Sequence, residues 1–144
     1  MDKNTNSYSQ RNSGINVAEV RFEEWCDKGK LEYWKTGFNE KEHPVKNFWC
    51  VHPYIRALPD YLVMVNNDLV WIHVKGSNKI KIDDLTLYEA WVNLFLHKTR
   101  FSIAFCLKDK DPIFLNWKEL KKKLTGTTIK EWHDNKQYVV LDLC

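Results

Sequence analysis

Apolar and polar positions repeat along this chain with two different periods, and the changes between them mark out the elements. From Val17 the period is helical: Ala18, Phe22, Trp25 and Cys26 share one face, at steps of four, three and one. Asn16 stands where such a helix needs a cap, and Gly29 where it would stop. Residues 31–36 read as a short strand and residues 48–51 as a fragment of another. Past Pro59 come two near-continuous apolar runs, DYLVMV over residues 60–65 and LVWIHVK over residues 69–75. Asn66, Asn67 and Asp68 between them are turn residues, so the two runs predict a hairpin. Residues 76–84 read as a polar loop. A helix is expected over residues 85–98, with Leu87, Ala90, Trp91, Leu94 and Phe95 as its apolar face. Residues 101–107 predict a buried strand and residues 113–115 a short one. Asn116 then caps a basic helix reaching Leu124, and residues 138–143 form a closing strand. This order predicts an α/β fold, a central mixed sheet flanked by helices.

The chain has 144 residues, enough for one domain and too few for two of ordinary size. The first sixteen hold four Asn and three Ser with no apolar period, so residues 1–16 are expected to be a disordered polar tail and residues 17–144 a single domain. Lys and Arg exceed Asp and Glu by only 22 to 19, a net charge of +3, so a polyanionic partner has to be held by a local patch. No apolar run approaches the roughly 18 residues of a membrane span. Met1 leads into polar residues rather than a secretory signal, and the four Cys, at 26, 50, 106 and 144, form no CxxC pair. A cytoplasmic location with reduced thiols is the expectation. Only five Gly are present, in no GxGxxG or GxxxxGK arrangement, and no GxSxG occurs. Most nucleotide-binding enzymes and the common serine hydrolases are thereby set aside.

Three groupings can carry chemistry. His43, Cys50 and His52 have zinc-ligating side chains, but their spacing fits no close ligand pair and no fourth ligand lies nearby in sequence, so ordinary loop residues are the better reading. Cys26 and Cys106 fall on apolar faces, where a thiol packs rather than reacts. The third grouping is the informative one. Asp60 opens the first hairpin strand, and His73 and Lys75 end the second, two residues apart and so on one face. The antiparallel return brings them beside Asp60. A carboxylate, an imidazole and an ammonium at one hairpin end suit metal-assisted phosphodiester hydrolysis, the carboxylate fixing a divalent ion and the lysine stabilising phosphate charge. An acid from the preceding helix would complete the ion's shell. The plain structural alternative is that Asp60 opens a strand, His73 packs in a core and Lys75 is a solvated strand end.

Pro59-Asp60, a strand, a turn, a strand and His73-Val74-Lys75 resemble the core of the PD-(D/E)XK nuclease superfamily, and most closely its archaeal-type Holliday-junction resolvases. Ala18-Glu19-Val20-Arg21-Phe22 matches the preceding helix and Ser102-Ile103-Ala104-Phe105 the later strand, so the resemblance spans roughly residues 14–115. It implies a restriction-endonuclease-like fold and a metal-dependent endonuclease that hydrolyses DNA phosphodiesters, acting on branched or structured DNA as a homodimer with Mg²⁺ or Mn²⁺. Carried over by position, Glu19 is the helix carboxylate, with Glu23 its substitute one turn on, Asp60 the metal-binding aspartate and Lys75 the catalytic lysine. The departure is His73, which stands where the family has Asp or Glu. Magnesium prefers hard oxygen ligands, so an imidazole there shifts preference toward manganese or later metals, or else marks a nuclease fold that serves as a nucleic-acid or protein binding module.

Lys79 and Lys81 follow the site in sequence, and with Arg11 they are the candidate nucleic-acid contacts. Lys121, Lys122 and Lys123 read rather as the solvated face of the late helix. Trp34, Phe38, Phe48 and Trp49 can stack on unpaired bases or cover a sheet edge, the second being the simpler use.

Overall fold

The computed structural model of the protein describes residues 16–37, 52–94 and 100–143. Its elements in chain order are α1 (Val17–Lys28), β1 (Tyr33–Lys35), α2 (Pro53–Arg56), β2 (Tyr61–Val65), β3 (Asp68–Lys75), β4 (Lys79–Lys81), α3 (Ile82–Leu94), β5 (Arg100–Phe105), β6 (Ile113–Asn116), α4 (Trp117–Leu124), β7 (Lys130–Glu131) and β8 (Gln137–Val140). The tail through residue 15, Arg11, His43, Cys50, the fragment over residues 48–51, the aromatics Phe38, Phe48 and Trp49, and residues 95–98 of the helix expected over residues 85–98 lie outside the described residues.

The predicted hairpin forms on a two-residue turn. Asn66 and Asn67 both have positive φ, 49° and 68°, the primed geometry whose twist matches that of the flanking strands. The turn pairs Val65 with Asp68 and carries the register back to Tyr61 opposite Ile72. β1 adds antiparallel to β2. β3 pairs parallel with β5, which pairs antiparallel with β6. The result is a five-stranded mixed sheet in the order β1-β2-β3-β5-β6, flanked by helices, as the order of elements predicts. The parallel pair is reached through β4 and α3, the crossover that such a pair requires.

α1 begins where expected, the Asn16 side chain accepting from the Glu19 backbone N–H at 3.2 Å. It lays Ala18, Phe22 and Cys26 on one sheet face, against Tyr61, Val63, Val70, Ile72 and Ala104. The other face is covered by α3 and α4 and by a second sheet, β4-β8-β7, through Ile80, Tyr88, Phe101, Ile103, Phe105, Leu115, Leu120 and Val139. α4 starts on Asn116 with a reciprocal cap: its side chain accepts from the Glu119 N–H at 2.8 Å, and its own N–H donates to Glu119 Oε1 at 3.0 Å.

Three expectations are corrected. Residues 79–81 are a strand, not loop, because Lys-Ile-Lys buries Ile80 and leaves the lysines outside. α3 accordingly starts at Ile82 and not Leu85. Its packed face is Ile82, Leu85, Tyr88 and Val92 rather than Leu87, Ala90, Trp91 and Leu94, and Leu94 is 68% exposed. This helix is apolar nearly all round, so periodicity alone does not choose the face. The short β7 went unpredicted, since two residues carry no pattern. The β4–β8 ladder is extended one pair beyond Lys79 and Val140 by paired bonds: Asn78 Nδ2 donates to the Leu141 carbonyl, and the Leu141 N–H donates to the Asn78 carbonyl, both at 2.9 Å.

Cys26 and Cys106 are free thiols with no exposure. Burial, reinforced by Asp27, pushes Cys26 up to about 12. Burial also raises Cys106 to about 11, against the opposing pull of Arg21. A thiol whose pKa is raised by folding contributes stability below its unfolded value and loses it above. Stability should therefore hold up to about pH 9 and fall progressively beyond it as the unfolded thiols ionise. Iodoacetamide at pH 8 should leave both cysteines unmodified in the native protein, as peptide mass spectrometry would read. Native labelling as fast as in urea would contradict their placement.

Candidate active site

The site lies where β2 begins and β3 ends. Asp60 is held there by its backbone: its carbonyl accepts from the N–H groups of Thr36 and Gly37 at 2.9 and 3.1 Å, while Thr36 Oγ1 donates to the Pro59 carbonyl at 2.8 Å. Position 37 is closely confined, since a Cβ there would stand 3.2 Å from both Asp60 Cα and Oδ1. On the other side, Asp60 Oδ2 accepts from the Val74 N–H at 2.7 Å. The carboxylate thus takes over the hydrogen bonding of β3 where β2 stops.

The register that sets Tyr61 opposite Ile72 sets Asp60 opposite His73, and His73 Nδ1 stands 3.7 Å from Asp60 Oδ2, beyond hydrogen-bond reach. His73 is 7% exposed. It packs on Tyr88 with ring centroids 4.3 Å apart and meets Phe101 edge-on at 5.5 Å. Its Nε2 is buried with no hydrogen-bond partner among the described residues. Two residues on, Lys75 Nζ lies 3.5 Å from Asp84 Oδ2 in the first turn of α3. Asp84 went unremarked in the sequence, although an acidic pair ahead of an apolar run signals a helix start beside the site.

Glu19 reaches the same end of the sheet from α1, whose first turn rests on the strand end so closely that a Cβ on Gly76 would stand 3.3 Å from Ala18 Cβ. Glu19 is 8% exposed, and its Oε1 lies 3.7 Å from Lys35 Nζ. Lys35 pairs in register with Tyr61, whose side chain belongs to the α1 face. Glu23, one turn on, accepts a short hydrogen bond from the Tyr61 hydroxyl. Burial first, then that bond, push the Tyr61 phenol well above its usual range. The structure therefore brings Asp60, His73 and Lys75 together and adds Asp84, while the Glu19 and Glu23 carboxylates meet Lys35 and Tyr61.

Among the described residues no three His, Cys, Asp or Glu side chains come close enough together to hold a metal ion. What the protein offers is a pair of donors, Asp60 Oδ2 and His73 Nδ1. Their separation is a few tenths of an ångström wider than that of two tetrahedral ligands of one ion with bonds of about 2.1 Å, so a bound ion would draw them together. His52 instead caps α2, its Nδ1 accepting from the Tyr54 N–H at 3.1 Å. Lys79 and Lys81 sit on β4, beyond the site, and Lys123 donates to the Asp142 carbonyl at 2.7 Å. No helix among the described residues is long and apolar enough to cross a membrane.

No known family model matches the chain, and no curated protein does. Among solved structures it is similar to Hjc, a Holliday junction resolvase from the archaeal hyperthermophile Archaeoglobus fulgidus, with 12% identity and a TM-score of 0.48 over 85% of this chain and 84% of that one. A likeness of that size carries no argument about chemistry, which has to come from this chain's own side chains.

A buried imidazole nitrogen without a partner costs stability, about 1–3 kcal/mol for an unmet polar group. His73→Leu removes that group at similar volume, so the protein should be as stable or about 1 kcal/mol more stable in urea unfolding. A loss above about 2 kcal/mol would mean that His73 is a structural residue.

Proposed function

We propose that this chain is a restriction-endonuclease-like, metal-dependent endonuclease for DNA, with branched or structured DNA as its substrate and a homodimer as its working form. The observation that carries the reading is the meeting of Asp60, His73 and Lys75 at one end of the β2–β3 hairpin, on strands arranged as in the PD-(D/E)XK motif. The substrate and the dimer rest on the resemblance of that motif to the resolvases.

Asp60 and His73 would hold the ion; Glu19, expected from the motif to complete its shell, stands on the α1 face of the sheet and meets Lys35 instead. One oxygen and one nitrogen donor fit manganese better than magnesium. Two protein ligands are compatible with catalysis, because ions at phosphate sites commonly take the rest of their shell from water and substrate oxygens. When bound, the ion supplies a polarised phosphate and a more acidic water. The chain's own residues do the positioning. The Val74 N–H fixes Asp60 Oδ2, Tyr88 and Phe101 fix the imidazole plane, and Asp84 holds Lys75 at the strand end. There its ammonium stabilises the charge that builds on the phosphate oxygens.

Lys75→Ala should lower four-way-junction cleavage in Mn²⁺ by two decades or more while leaving DNA affinity within about twofold, the signature of a group acting in the transition state. Equal losses in both would make Lys75 a phosphate contact, and full activity would end the assignment. His73→Glu restores a hard ligand and should raise activity in Mg²⁺ relative to Mn²⁺. No change in that ratio would remove residue 73 from the metal. A second reading, a DNA-binding module without catalysis, is favoured by the packing of His73 between Tyr88 and Phe101. Calorimetry that finds neither ion bound at millimolar concentration, with DNA binding intact, would select it.

A further inference from the structure

The second sheet presents an outer face that the proposed reaction does not use. Across β4, β8 and β7, Lys81 pairs with Tyr138 and Tyr138 with Lys130, so these three side chains project on one side. Alternation puts Lys79 on that side too, and the bond from the Trp132 N–H to the Lys136 carbonyl adds Trp132 and Lys136. The opposite side carries Ile80 and Val139 into the core, together with Glu131 and Gln137 at its margin. The outer face therefore gathers four exposed lysines around two half-exposed aromatic rings, in a chain whose net charge is only +3.

The rings are arranged as a stack. Trp132 and Tyr138 lie 4.3 Å apart at 16°. Lys79 Nζ stands 5.7 Å from the Tyr138 centroid, and Lys81 Nζ stands 5.9 Å from that of Trp132. Among the described residues none of the four lysines is in an ion pair. A solvated sheet face needs lysines but has no use for a half-exposed tryptophan stacked on a tyrosine. Flat aromatic surface ringed by unpaired cations is complementary to a strand whose bases are unstacked and whose phosphates are close by. A base-paired duplex hides its base faces and would meet only the lysines.

We propose that this face is a platform for an unpaired DNA strand, with Trp132 and Tyr138 stacking on bases and Lys79, Lys81, Lys130 and Lys136 contacting phosphates. Only Gly76, Ser77 and Asn78 separate Lys75 from β4, so the platform begins within a few residues of the hairpin end. That use of the platform rests on the nuclease reading, and it narrows the substrate to DNA with a single-stranded segment beside the cleavage point.

The test is fluorescence anisotropy in EDTA, which removes cleavage and so separates this inference from the nuclease reading. The probes are a labelled oligothymidylate of about 12 nucleotides, an abasic deoxyribose-phosphate chain of equal length, and a duplex. The protein should prefer the oligothymidylate to both others. Trp132→Ala and Tyr138→Ala should each weaken oligothymidylate binding roughly fivefold to a hundredfold and leave the abasic chain nearly unaffected, whereas Trp132→Phe should keep most of the affinity. Combined Lys79→Ala and Lys81→Ala should weaken both single strands and lower the salt slope for them by about 1.4. Equal binding of oligothymidylate and abasic chain by the wild type would overturn the proposal, as would alanine variants that bind like it. Binding to phosphatidylserine vesicles without binding to oligothymidylate would overturn it in favour of a membrane surface.

Discussion

Two asparagines in left-handed backbone fix how β2 lies against β3, and every side chain of the candidate site takes its place from that register. Because side chains alternate along a strand, a slip of one residue would turn His73 and Lys75 to the α1 face and bring Ile72 and Val74 to the other. Asn66 and Asn67 adopt positive φ at little cost, since their short amides tolerate it. The opposite end of the hairpin is secured by Asp60, whose carboxylate accepts the Val74 N–H. The hairpin is thus pinned at both ends, by a turn at one and by a candidate catalytic side chain at the other.

That arrangement gives Asp60 two duties that can be told apart. Removing its carboxylate leaves the Val74 N–H unmet as well as removing the candidate ligand, so an alanine there would confuse folding with chemistry. Asparagine keeps an acceptor for the Val74 N–H and changes the charge. His73 is the converse case. It is nearly as buried as the surrounding core, yet one nitrogen finds no partner and the other faces a carboxylate beyond bonding distance. A leucine would pack in such surroundings without the desolvation cost that the imidazole carries.

Much of this was legible in the sequence. The hairpin, α1 and the cap at Asn116 each combine an apolar period with the turn or cap residue that the geometry needs, and agreement between the two signals is what made them readable. The meeting of Asp60, His73 and Lys75 follows from strand alternation alone. Of the second sheet only β8, the expected closing strand, was legible; β4 and β7 were not, because strands of two and three residues show no period and β4 reads as polar: only Ile80 turns inward. α3 hid its packed face by being apolar on nearly every side. Asp84 was hidden with it, since its partnership with Lys75 depends on the helix starting three residues earlier than the apolar pattern suggests. The positions of Lys35 against Glu19 and of Tyr61 against Glu23 are products of tertiary packing that no local pattern encodes.

The paired bonds between Asn78 and Leu141 have a metric consequence. They carry the β4–β8 ladder back to Asn78, so the small sheet begins only three residues past Lys75. At most about 3.5 Å of chain per residue separates Lys75 from Lys79, so the near edge of the platform lies within roughly 14 Å of the hairpin end. A strand seated on Trp132 and Tyr138 would be gauged rather than merely retained. Were the chain to cleave as proposed, that bound would limit how far the point of attack can lie from the seated bases.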